Sequence, residues 1–242
     1  HLDRCVGIPR HLVGDSLHEM LARFTPDAVV VAVPPDFHEE VARVCLEHGC
    51  HVLIEKPICP TLVQAQGLAG DFFQAGQILF GGHSERFNPV FVALCANLGR
   101  IGKLQKIEAA REGMAPPKPP AGGVVFDLAV HDLDLIRRLA GERLELERGV
   151  GSKRTNGRIA VSTEAWLRWS SGCATLRASW GEHRERRIRV TGSDGVLEAD
   201  LLGRALSFMS GSVIEAIPLE WSDPLEAEHA SFLAACRGEG DP

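Results

Sequence analysis

Residues Asp27 to Val33 read DAVVVAV, an apolar run with no polar break. A run of this length fits a strand buried on both faces, the position that a parallel sheet covered by helices provides. Its flanks agree. Ser16 and Glu19 have capping-box spacing ahead of a short amphipathic stretch to Phe24. Asp36, with Glu39 three residues on, predicts a capped helix to about His48, with Gly49 suited to its C′ position. His51 to Glu55 reads as a second strand. Thr61 and Gln64 form a third capping box, opening a helix that ends near Gly76, and Gln77 to Gly81 reads as a third strand. Strands alternating with helices of this length indicate βαβ units and a doubly wound parallel sheet.

The second half has a different rhythm. Lys103 to Glu112 reads as a strand, followed by a proline-rich loop over Pro116–Pro120 and by Gly122-Gly123. One helix is expected over about Val124 to Leu139. Two hairpins follow: Ala165–Trp169 with Cys173–Trp180 around Ser170-Ser171-Gly172, and Arg187–Thr191 with Val196–Leu201 around Ser193-Asp194-Gly195. A last helix covers roughly Pro224 to Arg237. The expected organisation is an α/β domain over residues 1–84 and an α+β domain with a mostly antiparallel open sheet over residues 85–242.

Composition narrows the function. Net charge is −6, which disfavours nucleic acid as a partner. No run of eighteen apolar residues exists, so no membrane span is expected. The seven cysteines include no C-x-x-C pair, which argues against a zinc site or disulfide framework and for a reducing, cytoplasmic setting. Tyrosine is absent, which removes every mechanism that needs a tyrosine acid or base. Residue 1 is His and the chain stops just past a helical pattern, so a fragment cut at both ends is expected.

In a doubly wound sheet, ligands bind beyond the carboxyl ends of the strands. Pro34-Pro35-Asp36-Phe37-His38 follows the first strand, and Glu55-Lys56-Pro57 ends the second. Pro57 biases Lys56 to an extended conformation, at the ligand edge of the sheet. Lys56 is either functional or a solvated loop lysine; Glu55 is better read as a helix-capping or ion-pairing carboxylate. On a regular helix Asp127, His131, Asp134 and Arg138 fall within an arc of about 60°. A carboxylate one turn before a histidine can orient the imidazole for proton transfer. The alternative is a solvated stripe with an Asp134–Arg138 ion pair. Asp127 and His131 have no obvious third metal ligand, so no metal is expected. Arg86 suits a phosphate or carboxylate, or an interdomain salt bridge. Trp166, Trp169, Trp180 and Trp221 read as sheet packing.

Three pieces together carry a resemblance: Glu55-Lys56-Pro57, Gly82-His83-Ser84-Glu85-Arg86-Phe87-Asn88-Pro89, and Gly122-Gly123 leading to Asp127-x-x-x-His131-x-x-Asp134. In order along the chain, they resemble the Gfo/Idh/MocA oxidoreductases. Phe126–Asp134, with Trp180 and Val190-Thr191-Gly192, is most similar to members that act on UDP-N-acetylglucosamine. The resemblance implies a Rossmann-like dinucleotide-binding domain and a second domain whose open sheet forms homo-oligomers. It implies Lys56 as the catalytic lysine that hydrogen-bonds the reacting hydroxyl, His131 as general base and Asp127 as its polar partner. Pro34, Pro35, His38, Glu55, Lys56 and Arg86 would lie along the cofactor, NAD or NADP, with NAD favoured. The implied substrate is a sugar, above all a nucleotide sugar. The rivals are a polyol or inositol dehydrogenase and a sugar-sensing regulator that does no chemistry. The sequence departs from the family at its start: no G-x-G-x-x-G occurs in it, and the family's phosphate loop, its first two strands and the residue that selects NAD or NADP are expected upstream of residue 1, so that residues 1–84 are read as an incomplete dinucleotide-binding domain.

Overall fold

The computed structural model describes residues 9–120, 122–153 and 159–239. Cys5, Ala121 at the end of the proline-rich loop, and the chain end at Gly240–Pro242 lie outside the described residues. Two compact units divide at Gly82/His83. The first takes the described residues up to Gly82 together with those from Glu228 onward, and the second is His83–Ala227.

The first unit is built on a parallel sheet of three strands, β1 (Ala28–Val31), β2 (His51–Glu55) and β3 (Leu79–Gly82), in the order β1-β2-β3. Helices α1 (Leu17–Phe24), α2 (His38–Glu47) and α3 (Leu62–Ala75) alternate with the strands. Two caps act as the spacing predicts: the Ser16 hydroxyl accepts from the Glu19 N–H at 3.3 Å, and Thr61 accepts from Gln64 at 3.3 Å. Gly49 and Gly76 hold the left-handed backbone that ends α2 and α3. Asp36 is not a cap. A 3-10 turn over Pro35–Phe37 precedes α2, which starts at His38 with no side-chain cap. Pro35 pre-sets φ for a turn at that point, so the chain is already coiled when it reaches Asp36. The core joins Val52, Ile54, Ala42, Cys45, Leu68 and Phe72. Truncating a buried aromatic such as Phe72 to Ala costs about 3–5 kcal/mol. From α6 (Pro224–Cys236), Phe232 packs on Phe80 with ring centroids 5.7 Å apart.

The second unit is an eight-stranded sheet in the order β11-β10-β9-β8-β4-β7-β6-β5. Its strands are β4 (Leu104–Gly113), β5 (Glu145–Lys153), β6 (Ala160–Trp169), β7 (Gly172–Trp180), β8 (Glu185–Gly192), β9 (Val196–Asp200), β10 (Ala205–Ser210) and β11 (Val213–Ala216). Both expected hairpins form, β6–β7 closing at Trp169↔Gly172 and β8–β9 at Thr191↔Val196. Every pairing is antiparallel except β4 with β7. On β4 the side chains alternate: Ile107, Ala109 and Arg111 are buried, Lys106, Glu108 and Ala110 are not. Helices α4 (Pro89–Ala96) and α5 (Val130–Ala140) supply Val90, Phe91, Leu94, Leu135 and Ile136 to the core on the buried side. The other face of the sheet carries two open grooves of about 460 and 810 Å³, lined mostly by charged and small polar side chains.

The helix expected from Val124 is not regular. Val125–Ala129 is a π-turn, in which the Val130 N–H reaches back five residues to the Val125 carbonyl, and α5 starts only at Val130. Gly123 leads into it with φ +61°, and a Cβ there would meet the Ala160 carbonyl at 2.4 Å. The β6 backbone therefore presses on the entry to this turn, and only glycine fits. The wider turn shifts Asp127 relative to the α5 residues, so the arc drawn on a regular helix does not hold for it.

Candidate active site

In the first unit the ends of β1 and β2 are tied together by one residue. His38 is wholly buried. Its Nδ1 lies 2.9 Å from the Pro57 carbonyl and its Nε2 2.8 Å from the Val33 carbonyl. Val33 precedes Pro34-Pro35, and Pro57 follows Lys56, so His38 clasps the two segments assigned to the cofactor edge. Each ring nitrogen faces a backbone oxygen, and in either neutral tautomer one of the two donates. Lys56 sits past β2 at a cis Lys56–Pro57 peptide, its own N–H 3.3 Å from the Glu55 carboxylate. Glu55 and Lys56 are half-buried. The Glu55 carboxylate thus accepts from the backbone at its own strand end.

In the second unit the polar residues fall into two groups. Asp127 on the π-turn accepts a hydrogen bond from the Trp180 indole, Nε1 to Oδ2 at 2.8 Å. His131 stands one turn on, at the start of α5. Asp134, a turn further, is gripped by Arg86 through two bonds, Nε to Oδ2 at 2.7 Å and Nη2 to Oδ1 at 2.5 Å. Of the partners considered for Asp134, Arg138 one turn on is thus not the one that grips it; Arg86 is, with both prongs of its fork.

Beneath α5 lies a buried cluster that sequence reasoning missed. Arg111, on the inward face of β4, binds Asp132 through Nε and Nη2 at 2.8–3.1 Å and Glu85 through Nη1 at 2.9 Å. Arg186 adds a second cation to Glu85 at 2.8 Å. Burial alone would raise the Glu85 carboxyl, but Arg111, Arg186 and Asn88 hold it below the ordinary carboxylate range. Burial pushes Asp132 upward against the pull of Arg111. The arginine is held more firmly protonated than usual by its two carboxylates. The cluster anchors the turn carrying Arg86 and the helix carrying His131 to one strand. Its sequence signal is weak: an arginine at an inward position of a strand demands buried partners, but does not name them.

The chain matches two family patterns: "Oxidoreductase family, NAD-binding Rossmann fold" over residues 6–83, and "GFO/IDH/MocA C-terminal domain" over residues 96–198. It is 30% identical to the UDP-N-acetylglucosamine 3-dehydrogenase of Acidithiobacillus ferrooxidans, over 86% of this chain and 70% of that protein. The chain belongs to the Gfo/Idh/MocA oxidoreductase family. The crystal structure of that relative superposes with a TM-score of 0.84, covering 93% of this chain and 74% of that one. A myo-inositol 2-dehydrogenase of Thermotoga maritima is also 30% identical, over 76% of this chain and 59% of that protein. A putative oxidoreductase from Magnetospirillum magnetotacticum, 23% identical, shares the fold with a TM-score of 0.85 over all of this chain and 82% of its own. The family's fold is thus the one described above, a parallel α/β unit followed by a mostly antiparallel sheet. Among the described residues no helix is long and apolar enough to cross a membrane.

Proposed function

We propose that the protein carrying this chain is a nicotinamide-dependent dehydrogenase of a sugar hydroxyl, with a nucleotide sugar of the UDP-N-acetylglucosamine kind as substrate. The observation that supports it is the placement of Asp127 and His131. Asp127 lies on a π-turn, a distortion common at functional sites, and His131 stands in the first turn of the helix that follows it. The relative named for that nucleotide sugar matches more of this chain than the one named for inositol, 86% against 76%. An inositol or polyol substrate is the second reading, favoured by equal identity to the Thermotoga enzyme.

The proposed chemistry balances simply. Lys56 donates a hydrogen bond to the reacting hydroxyl, and His131 takes its proton, with Asp127 as the polar partner of the imidazole. The nicotinamide supplies the acceptor for the hydride that leaves the same carbon. The fit for such a group rests on the strand ends, where His38 ties the chain before Pro34-Pro35 to the chain after Lys56 in a sheet of the kind that binds nucleotides at that edge. Pro34, Pro35, Glu55 and Arg86 belong to the proposed cofactor set, NAD before NADP. His38 belongs to it through the backbone it clasps. The uncovered face of the eight-stranded sheet is the proposed homo-oligomer interface, and the free thiols of the described cysteines suit the cytoplasm.

The test is turnover of the full-length protein on a panel of nucleotide sugars, free sugars and inositols, with NAD and NADP. Oxidation of a UDP-sugar above all others supports the proposal. A preference for inositol moves the substrate to the second reading. Lys56→Ala should lower turnover about 10²-fold or more, as loss of a positioned hydrogen-bonding group does. Near-normal turnover in that variant would remove Lys56 from the mechanism.

A further inference from the structure

Trp180 occupies an unusual place for a packing residue. It is the last residue of β7, paired with Gly113 at the end of β4. The chain is pinned immediately after it: the Gly181 N–H donates to the Gly113 carbonyl at 2.9 Å and the His183 N–H to the Glu112 carboxylate at 3.1 Å. A Cβ on Gly181 would overlap that same Glu112 carboxylate, which would have to swing aside and give up its bond from His183. The indole is therefore presented from a fixed backbone, half-buried against the core of its unit.

Indole has one polar atom and it only donates. Trp180 spends that donor on the Asp127 carboxylate, at 2.8 Å. A backbone carbonyl would satisfy a packing tryptophan equally well. A donor aimed at an acid on a π-turn does more, because it fixes which carboxylate oxygen is engaged. Hydrogen bonds to charged groups are also stronger than those between neutral ones. We infer that Trp180 is a positioning residue of the reaction: its indole N–H holds Asp127 in the orientation from which it serves His131. This deepens the function proposed above and rests on Asp127 having a role in turnover.

The test is a double-mutant cycle in the full-length protein, with Trp180→Phe removing the N–H and keeping an aromatic body. Trp180→Phe should lower kcat about tenfold with KM changed less than about twofold, the loss of one charge-assisted hydrogen bond. In an Asp127→Ala background the same substitution should add no further loss, since residues acting through one contact are not additive. Losses that multiply would overturn the inference and leave Trp180 as packing. A normal kcat in Asp127→Ala would overturn the role of Asp127 and the inference with it. A second measurement holds even where a variant is inactive. These 242 residues hold four tryptophans, so their indole N–H resonances are few. In Asp127→Asn and Asp127→Ala the Trp180 resonance should move while those of Trp166, Trp169 and Trp221 stay in place. An unmoved Trp180 signal would show that the tether is absent in solution, whatever the kinetics say.

Discussion

Arg86 holds Asp134 in a two-pronged grip, at 2.5 and 2.7 Å, and Asp134 lies one turn past His131 on α5. The arginine that family resemblance assigns to the cofactor is therefore also a brace on the helix that carries the proposed base. The Asp134 side chain is only 10% exposed, and the arginine 37%. Breaking the pair leaves a mostly buried carboxylate with a lost partner, at a cost of about 1–2 kcal/mol once solvent screening at the arginine is allowed for. Arg86→Ala should lower the melting temperature accordingly, and Asp134→Asn added to it should recover part of the loss. Arg86→Lys, which keeps charge but loses the fork, should fall between. A variant with unchanged melting but weakened dinucleotide affinity would make Arg86 a cofactor ligand alone.

The buried cluster predicts a pH dependence. Glu85 sits below its ordinary value because two arginines face it. A carboxyl depressed on folding contributes stability that is fully present above the ordinary range, near pH 4.3, and lost as pH falls through the depressed value. Glu85→Gln should thus destabilise by about 3 kcal/mol at neutral pH, where it strands part of the Arg111 charge. The difference between parent and variant should shrink as pH falls below about 4. Denaturant melts at several pH values give both numbers. A difference that stays constant with pH would mean that the Glu85 charge does not stabilise the cluster.

Local chemistry made the first unit legible. Capping hydroxyls at Ser16 and Thr61 and glycines at helix ends act within a few residues, and each forms as its spacing predicts. Strand β1 forms too, but only Val31 of its four residues is buried, where its apolar run predicts burial on both faces. The two hairpins of the second unit are legible for the same reason. What the sequence hides is long-range. The parallel pairing of β4 with β7 joins segments with no local signal between them, and it is this pairing that brings Trp180 near the π-turn. Strands β10 and β11 lack clean alternation, because β11 is exposed along its whole length. The close approach of β6 to Gly123, at the entry to the π-turn, is long-range as well. Asp127 and His131 were visible as residue types. Their partners were not.

The cysteines give a chemical map of the first unit. Burial, then the neighbouring Cys50, pushes the Cys45 thiol up to about 11. Burial raises Cys50 and Cys59 as well. Only the thiolate reacts, so at pH 8 about one Cys45 in a thousand is competent even before access is counted. Cys173 is exposed on the open sheet face. Alkylation of the native protein followed by peptide mapping should label Cys173 first and leave Cys45, Cys50 and Cys59 untouched until denaturant is added. Early labelling of Cys45 would mean that the packing of α2 on β2 opens readily.

The last prediction concerns the cofactor. Dinucleotide phosphates are held by backbone N–H groups of a glycine-rich turn and by a helix N-terminus. These 242 residues contain no G-x-G-x-x-G. Without that turn a dinucleotide forgoes several charge-assisted hydrogen bonds of roughly 1.5–3 kcal/mol each. The sheet of the first unit ends at β1 among the described residues, with Val30 48% exposed, an apolar edge of the kind that invites association. Calorimetric titration of the 242-residue chain with NAD and with NADP should therefore show no binding at concentrations of about 100 μM, and the chain should self-associate as its concentration rises. Since 100 μM corresponds to only about 5.5 kcal/mol of binding free energy, the loss of two or three phosphate contacts is enough to put the affinity beyond reach. Micromolar binding would place a phosphate site elsewhere in these residues, and the arginines of the second unit would be the first to substitute.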